Sequence, residues 1–266
     1  MNLFQRIKER ALGRGPAGYA PEWTRIESGP LEGREMMLDT AASASWRQMA
    51  NGRFESFLHE KLKELRNWSG LCVWDVGAHF GYHTLCLAQL VGADGRVAAF
   101  EPNPALAERL NRNAARNPEL AAAIEIEPVA VSDSNGRAEM VCTKKVDGNA
   151  SWGHLAEVAP PMPVEQYADF EKSIVNVVSL DAWHSRTVGA PPALIKIDVE
   201  GAELNVLQGA RDTIAAHRPQ LAIEIHTLDL IPPFEQFCIQ QNYVTELLES
   251  AEERRFYFAS PTEPPA

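Results

Sequence analysis

Val73-Trp74-Asp75-Val76-Gly77-Ala78-His79-Phe80-Gly81, followed by Thr84, carries a short apolar run into a helical one across two glycines. Gly77 and Gly81 let the backbone turn sharply and let a ligand approach the main chain closely. Leu71 to Val76 reads as a buried strand, with a helix running on through Leu90. Arg96 to Phe100 reads as the next strand and Ala105 to Arg116 as the next helix, then Ile124 to Val131 as a third strand. Strands alternating with helices at this spacing predict β-α-β units. The expected fold is α/β, a Rossmann-like, doubly wound, mostly parallel seven-stranded sheet with an antiparallel closing strand.

Farther along, the rhythm breaks between Ser132 and Leu180. Ser134-Asn135-Gly136 predicts a turn and Arg137 to Thr143 a strand. The run from Lys144 to Pro163, with Pro160-Pro161 and Pro163, reads either as a loop over the site or as a surface insertion. The alternation resumes with a strand at Ala193 to Asp198, a helix from Ala202 to His217 and a strand at Gln220 to Ile225. Phe234 to Gln241 reads as helical, and Tyr243 to Leu248 with Arg255 to Ala259 as an antiparallel pair. Upstream, residues 1–70 form an expected extension to a domain covering 71–266. Within it, Leu3 to Leu12 suggests a short amphipathic helix, docked on the domain or a frayed terminus rather than a membrane-surface anchor. Trp23 to Leu38 predicts a hairpin and Phe54 to Leu65 a helix.

In a doubly wound sheet, ligands collect beyond the carboxyl ends of the strands, where the Gly77–Gly81 loop lies. Asp75 would repel a dinucleotide's pyrophosphate but suits the cationic amino group of S-adenosylmethionine. Glu101 ends the second strand about 20 residues after the glycines, where an acid accepts hydrogen bonds from ribose hydroxyls. A nicotinamide-dependent oxidoreductase would also place an acid there, but Gly77 and Gly81 do not make G-x-G-x-x-G. A non-catalytic Rossmann-like binding module is the other alternative.

Three further residues sit at later strand ends. Lys196 and Asp198 share one strand face, and Asp198 points toward the same crevice as Asp75. Glu224 and His226 close the next strand. Asp198, then Glu224 and His226, are the candidate catalytic bases; a divalent-metal site made of the three is not favoured. Glu203 reads as a helix cap. His79 and His83 are spaced like metal ligands on a helix, but their place beside the glycine loop favours cofactor contact or core packing. Ile231-Pro-Pro-Phe234 is superficially like an amino-methylating signature, yet Ile replaces its polar residue and it follows the wrong strand.

Taken together, Asp75-Val-Gly-Ala-His-Phe-Gly81, Ala99-Phe-Glu-Pro-Asn-Pro104, Ala130-Val-Ser-Asp133 and Ile195-Lys-Ile-Asp-Val-Glu-Gly-Ala-Glu203 resemble the FkbM family of methyltransferases. Trp46 and Gly52-Arg-Phe-Glu55 resemble that family's lead-in, so that the likeness covers roughly residues 45–227. The resemblance implies O-methylation of a hydroxyl on a sugar, polyketide or similar metabolite. It places Asp75, Gly77, Ala78 and Gly81 along the methionine end of the donor, Glu101 on the ribose, and Val131 and Ser132 beside adenine. The chain departs from the family at His79, commonly Asn, and at His83, commonly aromatic.

Composition narrows the partners. A net charge of -11 over 266 residues, with no block of Lys and Arg, argues against nucleic acid and leaves a small-molecule or glycan acceptor. Cys72, Cys86, Cys142 and Cys238 are widely separated and contain no C-x-x-C pair, which reads as reduced thiols in the cytoplasm. No apolar run is long enough to span a membrane.

Overall fold

The computed structural model describes residues 21–41, 43–143, 153–155, 170–187, 189–251 and 254–262. The expected helix at Leu3 to Leu12 and most of the Lys144 to Pro163 run lie outside them. Strands β1 (Glu22–Arg25) and β2 (Glu35–Leu38) pair antiparallel, as the hairpin reading requires. Helices α1 (Ala44–Ala50) and α2 (Ser56–Leu65) follow.

The central sheet begins at β3 (Cys72–Val76), which passes through Gly77–Gly81 into α3 (Tyr82–Val91). Next come β4 (Arg96–Phe100), α4 (Pro104–Arg116), α5 (Pro118–Ala121) and β5 (Ile124–Glu127). After an excursion the chain returns through β10 (Pro192–Ile197), α7 (Glu203–Gly209), α8 (Arg211–His217), β11 (Gln220–Ile225), α9 (Ile231–Gln240), β12 (Tyr243–Ala251) and β13 (Arg254–Pro261). The sheet order is β12-β13-β11-β10-β3-β4-β5. The five strands from β11 to β5 are parallel, and β13 runs antiparallel to both its neighbours. The expected seven strands and antiparallel closure are both present. The chain reverses direction of travel across the sheet at β3, so the crevice opens where β3 and β10 end.

Alternation along the strands sorts side chains onto two covered faces. Val73, Val97, Leu194 and Ala222 pack with α3 and with Ile26, Leu31, Trp46, Leu58, Leu62 and Trp68 from the upstream segment. Trp74, Phe100, Ile195, Leu221 and Ile223 face Val206, Leu207, Ile214 and Phe234 on the other side. Each fully buried Leu or Phe contributes about 1.5–3 kcal/mol.

Three readings need correction. The third strand does not continue to Val131. Pro128 has no N–H for a ladder, so β5 stops at Glu127 and Ala130–Val131 becomes β6 in a second sheet. That sheet has the order β6-β9-β7-β8, built from β7 (Gly136–Thr143), β8 (Gly153–Leu155) and β9 (Phe170–Val178). Sequence reading identified only β7 of these. After β9 comes α6 (Leu180–Arg186). The helix expected from Ala202 to His217 is two, α7 and α8, parted at Ala210. Gly209, the last residue of α7, lies so near the second sheet that a Cβ there would stand 2.0 Å from the Ser132 carbonyl oxygen. Ile231-Pro-Pro is the opening turn of α9, where proline's missing N–H costs nothing. All four cysteines are free and buried. No described helix is long and apolar enough to cross a membrane.

Asn113, fully buried on α4, ties the hairpin to the glycine loop. Its Oδ1 accepts from the Met37 N–H at 2.9 Å, and its Nδ2 donates to the Phe80 carbonyl at 2.8 Å. Asn113→Leu strands both backbone groups and should cost about 2–4 kcal/mol of stability. Chemical denaturation checks this; a loss below about 1 kcal/mol would show that those bonds do not hold the two parts together.

Candidate active site at the carboxyl ends of the parallel strands

A cavity of about 280 Å³ opens over the ends of β3, β4 and β10. Gly77, Ala78 and Glu101 line it on one side, and Val131 with Ala130 and Met140 extends that wall. Asp198, Glu200, Glu224 and Arg254 form its polar floor, while Trp46, Phe54, Glu55 and His83 close the side built from the upstream segment and α3.

Gly77 is held at φ +81, and a Cβ there would meet the Asp198 carbonyl oxygen at 1.8 Å. Only a residue without a side chain lets the ends of β3 and β10 approach this closely. Gly81 (φ +93) abuts Leu110 and begins α3, away from the cavity wall. At the tip of β4, the buried Glu101 accepts the His79 N–H through Oε2 and the Asn103 N–H through Oε1, both at 2.8 Å. Each oxygen keeps a second lone pair. Burial outweighs these two N–H groups and pushes the Glu101 carboxyl up to about 7.

Asp75 is fully buried and does not line the cavity. Its Oδ2 accepts from Thr84 Oγ1 at 2.6 Å, and its Oδ1 lies 3.3 Å from Lys196 Nζ. The cation that meets this carboxylate is therefore the protein's own. Lys196 and Asp75 are register partners on β10 and β3. The ammonium also lies 3.4 Å from Asp198 Oδ2 and 3.4 Å from the Gly77 carbonyl. Burial alone would lower the Lys196 pKa, but Asp75 and then Asp198 reverse that and raise it. Ser132 is buried off the cavity wall, where its N–H donates to the Val178 carbonyl and its own carbonyl packs on Gly209.

The three candidate bases do converge, with ligand atoms of Asp198, Glu224 and His226 within 4.8 Å of one another. They are not equivalent. Burial would raise the Asp198 pKa, yet Lys196 and then His226 hold it well below the usual carboxylate range, which makes it a weak proton acceptor. Glu224 accepts a hydrogen bond from Arg254, and burial together with Asp198 pushes its carboxyl up to about 7. His226 is buried and is not part of the cavity wall. Its Nδ1 lies 2.7 Å from Glu203 Oε1, and its Nε2 lies 3.4 Å from Glu200 and 3.5 Å from Asp198. Burial would lower its pKa, but Glu200, Glu224 and Glu203 raise it well above the ordinary value. An imidazolium is no base. Lys196 and Arg254 already neutralise two of these carboxylates, so the cluster closes on protein cations. Glu203 does more than cap a helix, since Oε1 also accepts the Gly201 N–H at 2.8 Å.

Sequence reasoning gave no role to Lys196, Arg254 or Glu55. For Lys196 the signal was its place two residues before Asp198 on a buried strand. Arg254 comes from a distant segment that nothing local marked, and Glu55 was visible only as the last residue of the Gly52-Arg-Phe-Glu55 lead-in. His83 stands 2.9 Å from Glu55 through Nε2 and stacks on His59, with ring centroids 5.4 Å apart.

Comparison with known proteins agrees with this architecture. The chain is 27% identical over 196 residues to 2-O-methyltransferase NoeI of Sinorhizobium fredii, covering 67% of this chain and 78% of that one. It is 30% identical over 182 residues to 31-O-demethyl-FK506 methyltransferase FkbM of Streptomyces tacrolimicus, covering 60% and 67% respectively. The crystal structure of methyltransferase FkbM from Methylobacillus flagellatus shares the fold with a TM-score of 0.51 at 21% identity, over 73% of this chain but only 45% of that one. Residues 75–255 match the methyltransferase FkbM domain. With two thirds of its length inside that match, and with the glycine loop, Glu101 and Asp198 on the ends of adjoining parallel strands, the chain belongs to the FkbM methyltransferase family.

Proposed function

We propose that the chain transfers the methyl group of S-adenosylmethionine to a hydroxyl oxygen of a sugar, polyketide or related small metabolite. Glu101 carries this reading. A carboxylate at the tip of β4, pinned by two backbone N–H groups and still open to the cavity, is suited to a pair of vicinal ribose hydroxyls. Gly77 and Ala78 offer main chain beside it for the methionine end, and Val131 an apolar surface for adenine. The two relatives, named for O-methyl transfer, support an oxygen acceptor.

The donor, when bound, supplies an electrophilic methyl on a sulfonium. The protein's part is to hold an acceptor oxygen in line with it, and such positioning can contribute about 7–11 kcal/mol. Asp198, kept ionised by Lys196, and Glu224, held by Arg254, present fixed carboxylates on the floor where acceptor hydroxyls rest. Asp75 acts one layer below, by holding Lys196.

Calorimetric titration should give a saturable isotherm with S-adenosylmethionine and none with NADH; the reverse would return the chain to the oxidoreductase class. Glu101→Gln should weaken the donor roughly 10- to 100-fold, the range expected on losing hydrogen bonds to a charged group. Because the Glu101 carboxyl titrates near 7, wild-type affinity should fall as pH drops from 8 to 6, by up to about tenfold per unit. The Gln variant should lack that slope; a slope equal to wild type would separate Glu101 from the effect. Asp198→Asn should lower kcat/KM for the acceptor by about 100-fold, with donor affinity held within about threefold. Unchanged turnover would remove Asp198 from the mechanism.

A further inference from the structure

We propose that Glu55, from the segment preceding the sheet, receives the proton of the acceptor hydroxyl, with His83 as its positioning residue. This rests on the methyl-transfer reading above and names the group which that reading leaves open.

A hydroxyl that attacks the methyl carbon must lose its proton as the new C–O bond forms. The C–S electron pair passes to sulfur, leaving a neutral thioether, and the proton needs a receiving lone pair. Each of the earlier candidates is already engaged by a neighbouring side chain. Asp198 is stabilised as an anion by Lys196, Glu224 is bonded to Arg254, and His226 lies off the cavity wall with its Nδ1 on Glu203.

Glu55 is placed differently. It lines the cavity, its side chain is 14% exposed, and its Oε2 is buried without a hydrogen bond. Its neighbour is His83 Nε2 at 2.9 Å, a contact whose alignment falls short of a hydrogen bond. The backbone of Glu55 is left-handed (φ 47), a conformation that non-glycine residues rarely adopt. Glu55 stands at the N-terminal end of α2, where its side chain makes no capping hydrogen bond. It shares the cavity lining with Lys196, Glu224 and Arg254, and its charge raises the pKa of each.

His83 is the second residue of α3, directly after the glycine loop, so one short segment fixes both the donor loop and the partner of Glu55. Behind it, His59 is driven down to about 3 by burial and by the charges of His83 and Lys63, so it is a neutral backing ring. The titratable groups around the pair are His59 and Lys63 from α2, Tyr82 and Cys86 from α3, Lys196 and Asp198 at the end of β10, Glu224 on β11 and Arg254 on β13. Burial raises both Tyr82 and Cys86, so neither ionises at neutral pH.

The test uses the full chain. Wild-type binding of S-adenosylmethionine, followed by label transfer to a panel of monosaccharides and macrolide alcohols, reports on the methyl-transfer reading. Comparison of variants reports on the proton. Glu55→Gln should lower kcat at least 100-fold with donor affinity within threefold, and His83→Gln should lower it less while shifting the acid limb of the kcat–pH profile. Sinefungin, which carries an amine where the donor has its methyl, gives a measurement independent of the acceptor. Its preference over S-adenosylhomocysteine should drop about tenfold in Glu55→Gln. Turnover within threefold of wild type, or an unchanged sinefungin preference, overturns the proposal; loss of turnover confined to Glu224→Gln would move the proton there. Should Glu55→Gln fail to fold, Glu55→Asp and His83→Gln carry the same two readouts.

Discussion

One buried ammonium organises the site. Lys196 reaches the end of β10 with almost no exposure and lies between Asp75 and Asp198, below the turn at Gly77. Desolvating that charge would cost several kcal/mol were it alone, and removing either partner of such a pair typically costs about 3–5 kcal/mol. The arrangement holds only if β3 and β10 are adjacent, in register, and crossing closely enough at Gly77 that no side chain fits. Strand order, glycine turn and acid placement are thus a single constraint.

This changes the meaning of Asp75. Read in isolation, an acid before a glycine turn looks like the counter-ion of a cationic donor. In the structure it holds Lys196 and Thr84, and Lys196 in turn keeps Asp198 ionised at the cavity floor. The acid that meets solvent is one strand over from the acid that the sequence emphasised. The reason is register: Lys196 and Asp75 become neighbours only through a crossover of more than a hundred residues, and no local spacing encodes that.

What was legible follows the same division. Periodicity and turn chemistry are local, so β3, α3, β4, α4, β10, β11 and the closing pair were all readable from their own residues, as were the glycine loop and Glu101. Tertiary events were not. Pro128 diverts the chain into a second sheet whose β9 had no clear alternation, and the helix break falls beside Gly209, where the Ser132 carbonyl leaves no room for a Cβ. His226 looked like a base by residue type; four surrounding carboxylates make it a cation instead. Charge state belongs to the neighbourhood, and the neighbourhood is assembled by the fold.

The two walls of the cavity have different origins, and this bears on how such a site can change. One wall is made by strand ends whose positions are fixed by the parallel ladder and by Lys196. The facing wall is made by α1, the start of α2 and the first turn of α3, which pack on the sheet through Trp46, Leu58 and Leu62. Substitutions in Ser45, Met49 or Phe54 reshape that second wall without touching a sheet hydrogen bond. Glu101 and Asp198 cannot be moved so independently, because each depends on the backbone of a neighbouring strand. The upstream wall can therefore be reshaped at low cost to the fold, whereas the wall of strand ends could change only if the β3–β10 approach were itself rebuilt.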